Sequence, residues 1–192
     1  MINQLLLMAK APVPGLVKTR LVPPLTPDEA AALHAAMLAD TVTVLQHVSV
    51  DKIHAAVMPA TFNRALLPSS WNIFPQVAGD LGARLAAAFR HVMGQGASRV
   101  VAVGVDSPTL QPSSLQAAFA ALARADVVLG PAEDGGCYAI GLRQLSAAFF
   151  EGVTWGTASV CDQLIARANC RCQIALEIIW RFVAPFCDIR MN

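Results

Sequence analysis

The sequence predicts an α/β fold in which a mostly parallel sheet carries helices on both faces. Apolar, β-branched runs alternate with helical patterns almost throughout the chain, which is the order that builds a parallel sheet with crossover helices. The composition agrees, because 55% of the residues are hydrophobic and only 14% are charged, as expected for strands buried on both faces. Because a length of 192 residues suits one domain, we expect residues 1–192 to form a single domain.

The first half of the chain contains three predicted strands and two predicted helices. Leu5–Ala9 forms the first strand, and the prolines and glycine of residues 11–15 end it. Thr26 is placed to cap a helix that runs to about Gln46, with proline at the first helical position and Glu29 completing a capping box. The next two strands and an alanine-rich helix are predicted over Lys52–Met58, Trp71–Val77 and Leu81–Met93.

The second half continues the alternation with shorter elements. An apolar run that begins at Val100 and ends at Asp106 predicts a buried strand, and a helix from Pro112 to about Arg124 follows it. The loop between the next two predicted strands is too short for a crossover helix, which leaves an antiparallel pairing open. These last elements are the strands Asp126–Gly130 and Cys137–Leu142, a helix capped by Thr157 that runs to Ala168, and a strand over Arg171–Trp180.

Charge and cysteine content exclude several functional classes. The formal net charge is +1, from fourteen Lys and Arg against thirteen Asp and Glu, so we expect no broad electrostatic binding to nucleic acid or membranes. No segment approaches the ~18 to 20 apolar residues that a membrane span requires. The five cysteines lack the spacing of zinc or redox motifs, so we expect reduced thiols in a cytoplasmic protein. The apolar segment Ile174–Phe186 offers a surface for a homodimer.

Asp106 is the first candidate for a functional residue. It comes directly after the predicted strand that begins at Val100, and Gly104 and Pro108 flank it. In open α/β sheets, ligands bind outside the carboxyl ends of the strands. An acid at this position is therefore placed to hold a metal ion or a ligand hydroxyl.

The loop after the first strand is the second candidate. It combines Gly15 with the cations Lys10, Lys18 and Arg20, and backbone amides together with these charges suit a diphosphate. The spacing is not that of a Walker A loop. Taken alone, the segment is better explained as a solvated loop with ordinary surface cations.

The third candidate is a glycine-rich turn after the strand Asp126–Gly130. It contains a second acid, Asp134, followed by Gly135 and Gly136. Two carboxylates at neighbouring strand ends can share a divalent ion, which then neutralises phosphate oxygens. The alternative is an ordinary Asp-Gly turn, which is the commonest meaning of that dipeptide.

Two further residues each allow two interpretations. Asp80 precedes a predicted helix, where it serves either as an N-cap, which is favoured for this residue taken alone, or as a nucleotide contact. Trp155 belongs either to the core or to a surface on which a sugar or base stacks. The four histidines, at positions 34, 47, 54 and 91, lack ligand spacing and receive no role.

The order of four motifs is more specific than any motif alone. They are Ala9-Lys10-Ala11-Pro12-Val13-Pro14-Gly15 with Lys18-Thr19-Arg20-Leu21, then Gly79-Asp80-Leu81-Gly82, then Gly104-Val105-Asp106-Ser107-Pro108, then Asp134-Gly135-Gly136-Cys137-Tyr138. This order resembles that of the small bacterial nucleotide-diphospho-sugar transferases, a glycosyltransferase-like group linked to arsenosugar biosynthesis. The resemblance implies a GT-A type three-layer α/β/α sandwich with a mostly parallel central sheet. It also implies a relation to the molybdopterin-guanine and lactate guanylyltransferase-type nucleotidyltransferases.

The resemblance implies a role for each candidate residue. Asp106 and Asp134 would be the catalytic carboxylates and would bind Mg²⁺ or Mn²⁺. The nucleotide and its phosphates would be held by Lys10, Gly15, Lys18, Arg20 and Asp80. The remaining substrate would contact Gly135, Gly136 and Trp155.

The reaction implied by the resemblance is metal-assisted transfer of a glycosyl group from a nucleotide-diphospho-sugar to a small acceptor. Two alternatives stay open: a nucleotidyltransferase that condenses an NTP with a phosphorylated metabolite, and a non-catalytic nucleotide-binding subunit. Prolines replace the glycine- and arginine-rich run of the nucleotidyltransferases in the first loop, which favours sugar transfer.

The chain departs from the family pattern at two places. Val105-Asp106-Ser107 carries one acid where GT-A enzymes carry an Asp-x-Asp triad. The tail of the family usually holds another Asp-containing acidic segment, whereas this chain ends Phe186-Cys187-Asp188-Ile189-Arg190-Met191-Asn192. We therefore expect a site with fewer acidic ligands than usual, in which activity suffers even with an intact fold.

Overall fold

A computed structural model describes residues 1–169 and 174–175 of the chain and contains one seven-stranded sheet. The strands are β1 (Asn3–Lys10), β2 (Lys52–Met58), β3 (Asn72–Pro75), β4 (Arg99–Val103), β5 (Val127–Pro131), β6 (Cys137–Leu142) and β7 (Ile174–Ala175). The α-helices are α1 (Pro27–Gln46), α2 (Leu81–Met93), α3 (Pro112–Ala121) and α4 (Val160–Asn169). Short 3₁₀ helices span Thr19–Leu21, Arg64–Leu66 and Ala147–Phe149.

The sheet is mostly parallel, with strand order β3-β2-β1-β4-β6-β5-β7. Strand β6 runs antiparallel to both of its neighbours, β4 and β5. The five residues between β5 and β6 are too few for a crossover helix, so β6 returns in the opposite direction. The predicted α/β class and mostly parallel sheet are confirmed.

Helices cover both faces of the sheet, which gives the expected three layers. The consecutive residues Leu5–Leu7 of β1 are all fully buried, because alternate side chains point to opposite faces and each face is covered. One core contains Leu5 and Leu7 with residues of α1 and α3, and the other contains Leu6 with residues of α2 and α4. No helix in the described part of the chain is long and apolar enough to cross a membrane.

Local signals placed several elements correctly. The bounds of β2, α2 and β6 agree with the prediction at both ends. Thr26 caps α1 through a capping box: its hydroxyl accepts from the Glu29 amide, and the Glu29 carboxylate accepts from the Thr26 amide. This reciprocal pair satisfies amides that have no partner within the helix.

Other boundaries differ from the prediction. Helix α3 ends at Ala121 rather than near Arg124, because the following residues form tight turns. Helix α4 begins at Val160, and the Thr157 hydroxyl donates to the Thr154 carbonyl instead of capping it. The predicted last strand, Arg171–Trp180, includes β7, and its other residues lie outside the described part, as does most of the predicted dimer segment.

The order of the strands creates a topological switch point between β1 and β4. After β1 the chain moves to β2 and β3 on one side, then returns to β4 on the other side of β1. The connecting helices α1 and α2 pack on opposite faces of the sheet. A crevice at the carboxyl ends of two such strands is the usual ligand site in open α/β sheets. The loops that follow β1 and β4 are therefore placed to hold a ligand.

Candidate functional site

Lys18 and Asp106 meet at the switch point. Lys18 lies in the loop after β1, and Asp106 lies three residues after β4. The Lys18 Nζ donates to Asp106 Oδ1 at 2.7 Å. The Lys18 side chain is only 17% exposed, whereas that of Asp106 is 80% exposed. The ammonium is thus held against the protein, while the carboxylate faces solvent.

The backbone of the loop after β1 places Lys18 in an unusual conformation. Lys18 has φ 49° and ψ 33°, in the left-handed region, which non-glycine residues rarely adopt. The neighbouring Val17 is buried and anchors the loop. Gly15 is exposed with φ 76°, and a side chain there would meet nothing within 4 Å. The loop therefore combines an open glycine turn with an anchored cation.

Arg20 belongs to the same loop as Lys18 and lies next to Gly156. Its Nη2 is 3.6 Å from the position that a Cβ on Gly156 would occupy. Gly156 has φ 79° and belongs to the loop before α4. Lys18 and Arg20 thus lie in the same short loop, with the Lys18 ammonium at Asp106 and the Arg20 guanidinium beside Gly156. An anionic group that contacts both side chains would meet two positive charges.

Lys10, which is also predicted to contact the phosphates, is exposed at the end of β1. Its carbonyl oxygen is 3.1 Å from Nε2 of His34 on α1. Because a carbonyl only accepts, His34 Nε2 carries the proton and donates it. His34 is 5% exposed, its Nδ1 is buried without a partner, and burial lowers the pKa of its imidazole. The sequence analysis missed this role, although His34 lies one turn before the buried Leu38 on the apolar face of α1.

Gln76, which no sequence motif singled out, joins the ends of three strands. It follows β3, and its Nε2 donates to the carbonyls of Ala9 in β1 and Ala56 in β2 at 3.1 and 2.8 Å. Nη1 of Arg84, on α2, lies 3.4 Å from Gln76 Oε1 and 3.0 Å from the sulfur of Met58. A cavity of about 80 Å³ lies beside Gln76 and Arg84, between β3 and α2. This network holds together the carboxyl ends of β1, β2 and β3, next to the loop that follows β1.

Asp80 is the N-cap of α2. Its Oδ1 accepts from the Ala83 amide at 2.8 Å, which satisfies a free amide of the first turn and complements the helix dipole. The structural interpretation of Asp80 is therefore confirmed, and a contact with a nucleotide stays a prediction. Asp80 is exposed, so the cap does not bury the carboxylate.

Trp155 packs against the first turn of α2. A Cβ on Gly82 would come within 2.7 Å of the indole Nε1 and 2.8 Å of the Phe150 carbonyl oxygen, so glycine permits this close approach. The rings of Phe150 and Trp155 lie 6.3 Å apart, and Trp155 is partly buried. Its Nε1 is buried without a partner. The residue belongs in part to the core, and stacking on a sugar or base stays a prediction.

The turn with Asp134 packs on the N-terminus of α4. The Asp134 Oδ1 accepts from the Gly136 amide at 2.9 Å, and the Gly135 carbonyl accepts from the Cys161 amide at 2.9 Å. A side chain on Gly135, which has φ 82°, would collide with the backbone of Ala158. The turn is thus held close to α4, and Asp134 itself is exposed.

Asp106 and Asp134 follow parallel strands at the same edge of the sheet, with β6 between them. Val103, Ala139 and Gly130 lie side by side in β4, β6 and β5, so the two strand ends are about 10 Å apart. Within the described residues, no group of three or more His, Cys, Asp or Glu side chains is arranged to hold a metal. An exposed carboxylate such as Asp106 suits Mg²⁺ or Mn²⁺ when phosphate oxygens and water complete the ligands.

A family model matches most of the chain. The family described as "Uncharacterized protein conserved in bacteria (DUF2064)" matches residues 31–157. The matched range contains Asp80, Asp106, Asp134 and Trp155, and it begins after the loop with Lys18. None of the curated proteins matches the chain in sequence.

Solved structures share the fold. A candidate nucleotide-diphospho-sugar transferase from Desulfovibrio desulfuricans G20 is 30% identical, covers 92% of this chain and 80% of its own, and has a TM-score of 0.84. Rv0371c from Mycobacterium tuberculosis H37Rv, in complex with manganese, is 18% identical over 79% of this chain and 75% of its own, with a TM-score of 0.51. The 4-diphosphocytidyl-2C-methyl-D-erythritol synthase from Anaerococcus prevotii DSM 20548 is 9% identical over 88% and 82%, with a TM-score of 0.57.

Proposed function

This chain belongs to the DUF2064 family, and we propose that it transfers a glycosyl group from a nucleotide-diphospho-sugar to a small acceptor with the help of a divalent metal. The observation that carries the proposal is the meeting of Lys18 and Asp106 at the switch point between β1 and β4. The name of the 30% identical structure from Desulfovibrio desulfuricans supports the same class of donor.

The loop after β1 binds the diphosphate of the donor. Glycosyl transfer breaks the bond between the anomeric carbon and the diphosphate oxygen, and the negative charge on the leaving diphosphate grows as that bond breaks. Lys18 and Arg20 stabilise this charge, and amides near Gly15 donate to phosphate oxygens. Lys10 adds a third cation at the start of the loop. Its position depends on the contact between its carbonyl and His34.

Asp106 is the main protein ligand of the metal, and Asp134 either shares the metal or contacts the donor sugar. When bound, Mg²⁺ or Mn²⁺ neutralises the diphosphate and so stabilises it as a leaving group. Because the described residues contain no cluster of three or more side chains able to hold a metal, phosphate oxygens would provide most of the other ligands, as is usual for Mg²⁺. The manganese in the structure of Rv0371c, a protein of the same fold, supports a metal of this type.

The rest of the donor and the acceptor lie along the same edge. Asp80 and the first turn of α2 contact the base or ribose, whereas Gly135 and Gly136 border the sugar. Trp155 packs on Gly82 in the first turn of α2, so it borders the region of the base or ribose.

Nucleotidyl transfer is the second candidate function. It is supported by the fold, which the chain shares with the 4-diphosphocytidyl-2C-methyl-D-erythritol synthase of Anaerococcus prevotii. In that reaction an NTP would condense with a phosphorylated metabolite and release pyrophosphate. Prolines at positions 12 and 14 of the loop favour sugar transfer over this alternative. A third candidate, nucleotide binding without turnover, follows from the single acid at Asp106.

Product analysis distinguishes the three candidates. The wild type is incubated with Mn²⁺ and UDP-, GDP- or TDP-sugars, or with NTPs, and the release of nucleoside diphosphate or of pyrophosphate is measured. We expect nucleoside diphosphate from one nucleotide-sugar, with loss of that activity in Asp106→Asn and not in Asp40→Asn, which changes an exposed acid on α1. Release of pyrophosphate alone supports nucleotidyl transfer. Binding without either product supports the non-catalytic subunit.

A further inference from the structure

The Lys18 ammonium is hydrogen-bonded to Asp106, the carboxylate on which the proposed function depends. Its Nζ lies 2.7 Å from Asp106 Oδ1, at the distance of a strong charge-assisted hydrogen bond. A divalent cation on Asp106 would use the lone pairs of the same carboxylate, and it would stand next to the positive charge of Lys18. The cation and the ammonium, bound to one carboxylate, would repel each other. The pair in the ligand-free protein therefore opposes metal binding.

A rotation of the Lys18 side chain would free Asp106 while the backbone of the loop stays in place. Its backbone is anchored, because Val17 is 4% exposed and Lys18 directly precedes the 3₁₀ helix Thr19–Leu21. Its ammonium, by contrast, lies at the end of a flexible four-carbon stem. Phosphate oxygens entering the crevice give the ammonium an alternative anion with more negative charge than one carboxylate.

We propose that Lys18 competes with the divalent metal for Asp106, so that the empty site binds metal weakly until the diphosphate of the nucleotide draws the ammonium away. This inference rests on the proposed function, because it takes Asp106 as the metal ligand and the loop after β1 as the diphosphate site. The consequence is positive coupling between nucleotide and metal. The metal enters with the nucleotide rather than before it.

Titration with Mn²⁺ alone tests the competition. Free Mn²⁺ is measured by electron paramagnetic resonance for the wild type and for the neutral variants Lys18→Met and Lys18→Gln, without nucleotide. Lys18→Arg keeps the positive charge, and Lys52→Met removes an exposed cation at the amino end of β2. Circular dichroism verifies that each variant is folded.

We expect both neutral variants to bind Mn²⁺ roughly three- to fivefold more tightly than the wild type, the factor that corresponds to one exposed ion pair. Lys18→Arg and Lys52→Met should bind as the wild type does. Equal or weaker Mn²⁺ binding by Lys18→Met and Lys18→Gln overturns the inference.

Asp106→Asn, alone and combined with Lys18→Met, separates this inference from the proposed function. We expect both proteins to lose Mn²⁺ binding. If Asp106→Asn abolishes binding while the neutral Lys18 variants match the wild type, the competition is refuted and the metal site stands. If Asp106→Asn binds Mn²⁺ as the wild type does, both the inference and the proposed metal site are refuted. If no protein, including the neutral Lys18 variants, binds Mn²⁺ without nucleotide, the inference alone is refuted, because the proposed site takes most of its metal ligands from the phosphates.

Discussion

Lys18 and Asp106 are 88 positions apart in the chain, and their side chains meet at 2.7 Å across the switch point of the sheet. One comes from the loop after β1 and the other from the loop after β4, and these strands are neighbours in the sheet. The strand order, rather than any local motif, brings the cation to the carboxylate.

Arg20 contributes to ligand binding and not to stability. Because its side chain is exposed and lies beside Gly156, Arg20→Ala should weaken the binding of a nucleoside diphosphate roughly tenfold, the loss of one hydrogen bond to a charged group. Its melting temperature should match that of the wild type. Calorimetric titration measures the affinity, with Arg90→Ala on the exposed end of α2 as the control. Equal affinity in Arg20→Ala and the wild type removes Arg20 from the site.

Gln76 stabilises the carboxyl edge of the sheet. Gln76→Leu removes the donor to the Ala9 and Ala56 carbonyls, and a lost hydrogen bond that leaves a polar group unsatisfied costs about 1–3 kcal/mol. Urea denaturation should show a decrease of that size in the free energy of unfolding. The control, Gln46→Leu, changes an exposed glutamine at the end of α1 and should have little effect. Unchanged stability in Gln76→Leu would show that the two carbonyls need no donor from Gln76.

Gly82 is required by the approach of Trp155. In Gly82→Ala the new methyl group would lie 2.7 Å from the indole Nε1 and 2.8 Å from the Phe150 carbonyl oxygen, so the loop before α4 must move. Overpacking of this kind costs about 1–3 kcal/mol. Gly104→Ala is the matched control, since a methyl group there meets nothing within 4 Å. Thermal denaturation compares the two, and a Gly82→Ala protein as stable as Gly104→Ala contradicts the packing described here.

His54 makes the fold sensitive to acid. It is fully buried, its Nε2 donates to Gln4 Oε1, and its Nδ1 accepts from the Asn72 amide, an arrangement that fits the neutral ring. Burial lowers the pKa of His54 from 6.5 to about 4, and the charges of Lys52 and His91 add to the effect. Below pH 6.5 the unfolded chain therefore takes up a proton that the folded protein does not, and stability falls until the pH reaches the folded-state value.

Replacement of His54 should remove this part of the acid sensitivity. Between about pH 7 and about pH 4.5, His54→Gln should lose about 2 kcal/mol less stability than the wild type, although it is less stable at neutral pH. Urea denaturation at the two pH values measures the difference. His47→Gln, at an exposed position, should behave as the wild type does. An identical loss of stability in His54→Gln and the wild type would show that His54 is protonated in the folded protein.

The elements with strong local signals were predictable from the sequence. The capping box of Thr26 and Glu29 fixed the start of α1, and Asp80 fixed the start of α2, because each side chain satisfies amides within its own first turn. Thr157 did not predict the start of α4, since its hydroxyl donates to the Thr154 carbonyl instead of accepting from a helical amide. A capping residue type indicates where a helix is able to begin, and the surrounding loop decides whether it does.

The supporting contacts of the site were not predictable from local patterns. His34 and Gln76 act on backbone carbonyls 24 and 67 positions away, and neither residue type stands out in its own segment. The same holds for Gly135, whose necessity arises from the backbone of Ala158 in the loop before α4. Sequence motifs identified residues of the edge, such as Asp106 and Lys18, and the fold determined which of them meet.

A thermal-shift panel on the wild type and Asp106→Asn tests most directly whether a nucleotide-sugar binds together with a divalent metal at Asp106. UDP-, GDP- and TDP-sugars and the triphosphates CTP, GTP and ATP are each added with and without Mn²⁺, because a ligand that binds the folded protein raises its melting temperature. We expect one nucleotide-sugar to stabilise the wild type, the shift to require Mn²⁺, and Asp106→Asn to lose it. Stabilisation by triphosphates alone, or a nucleotide-sugar shift that persists in Asp106→Asn, would refute metal-assisted binding of a nucleotide-sugar at Asp106.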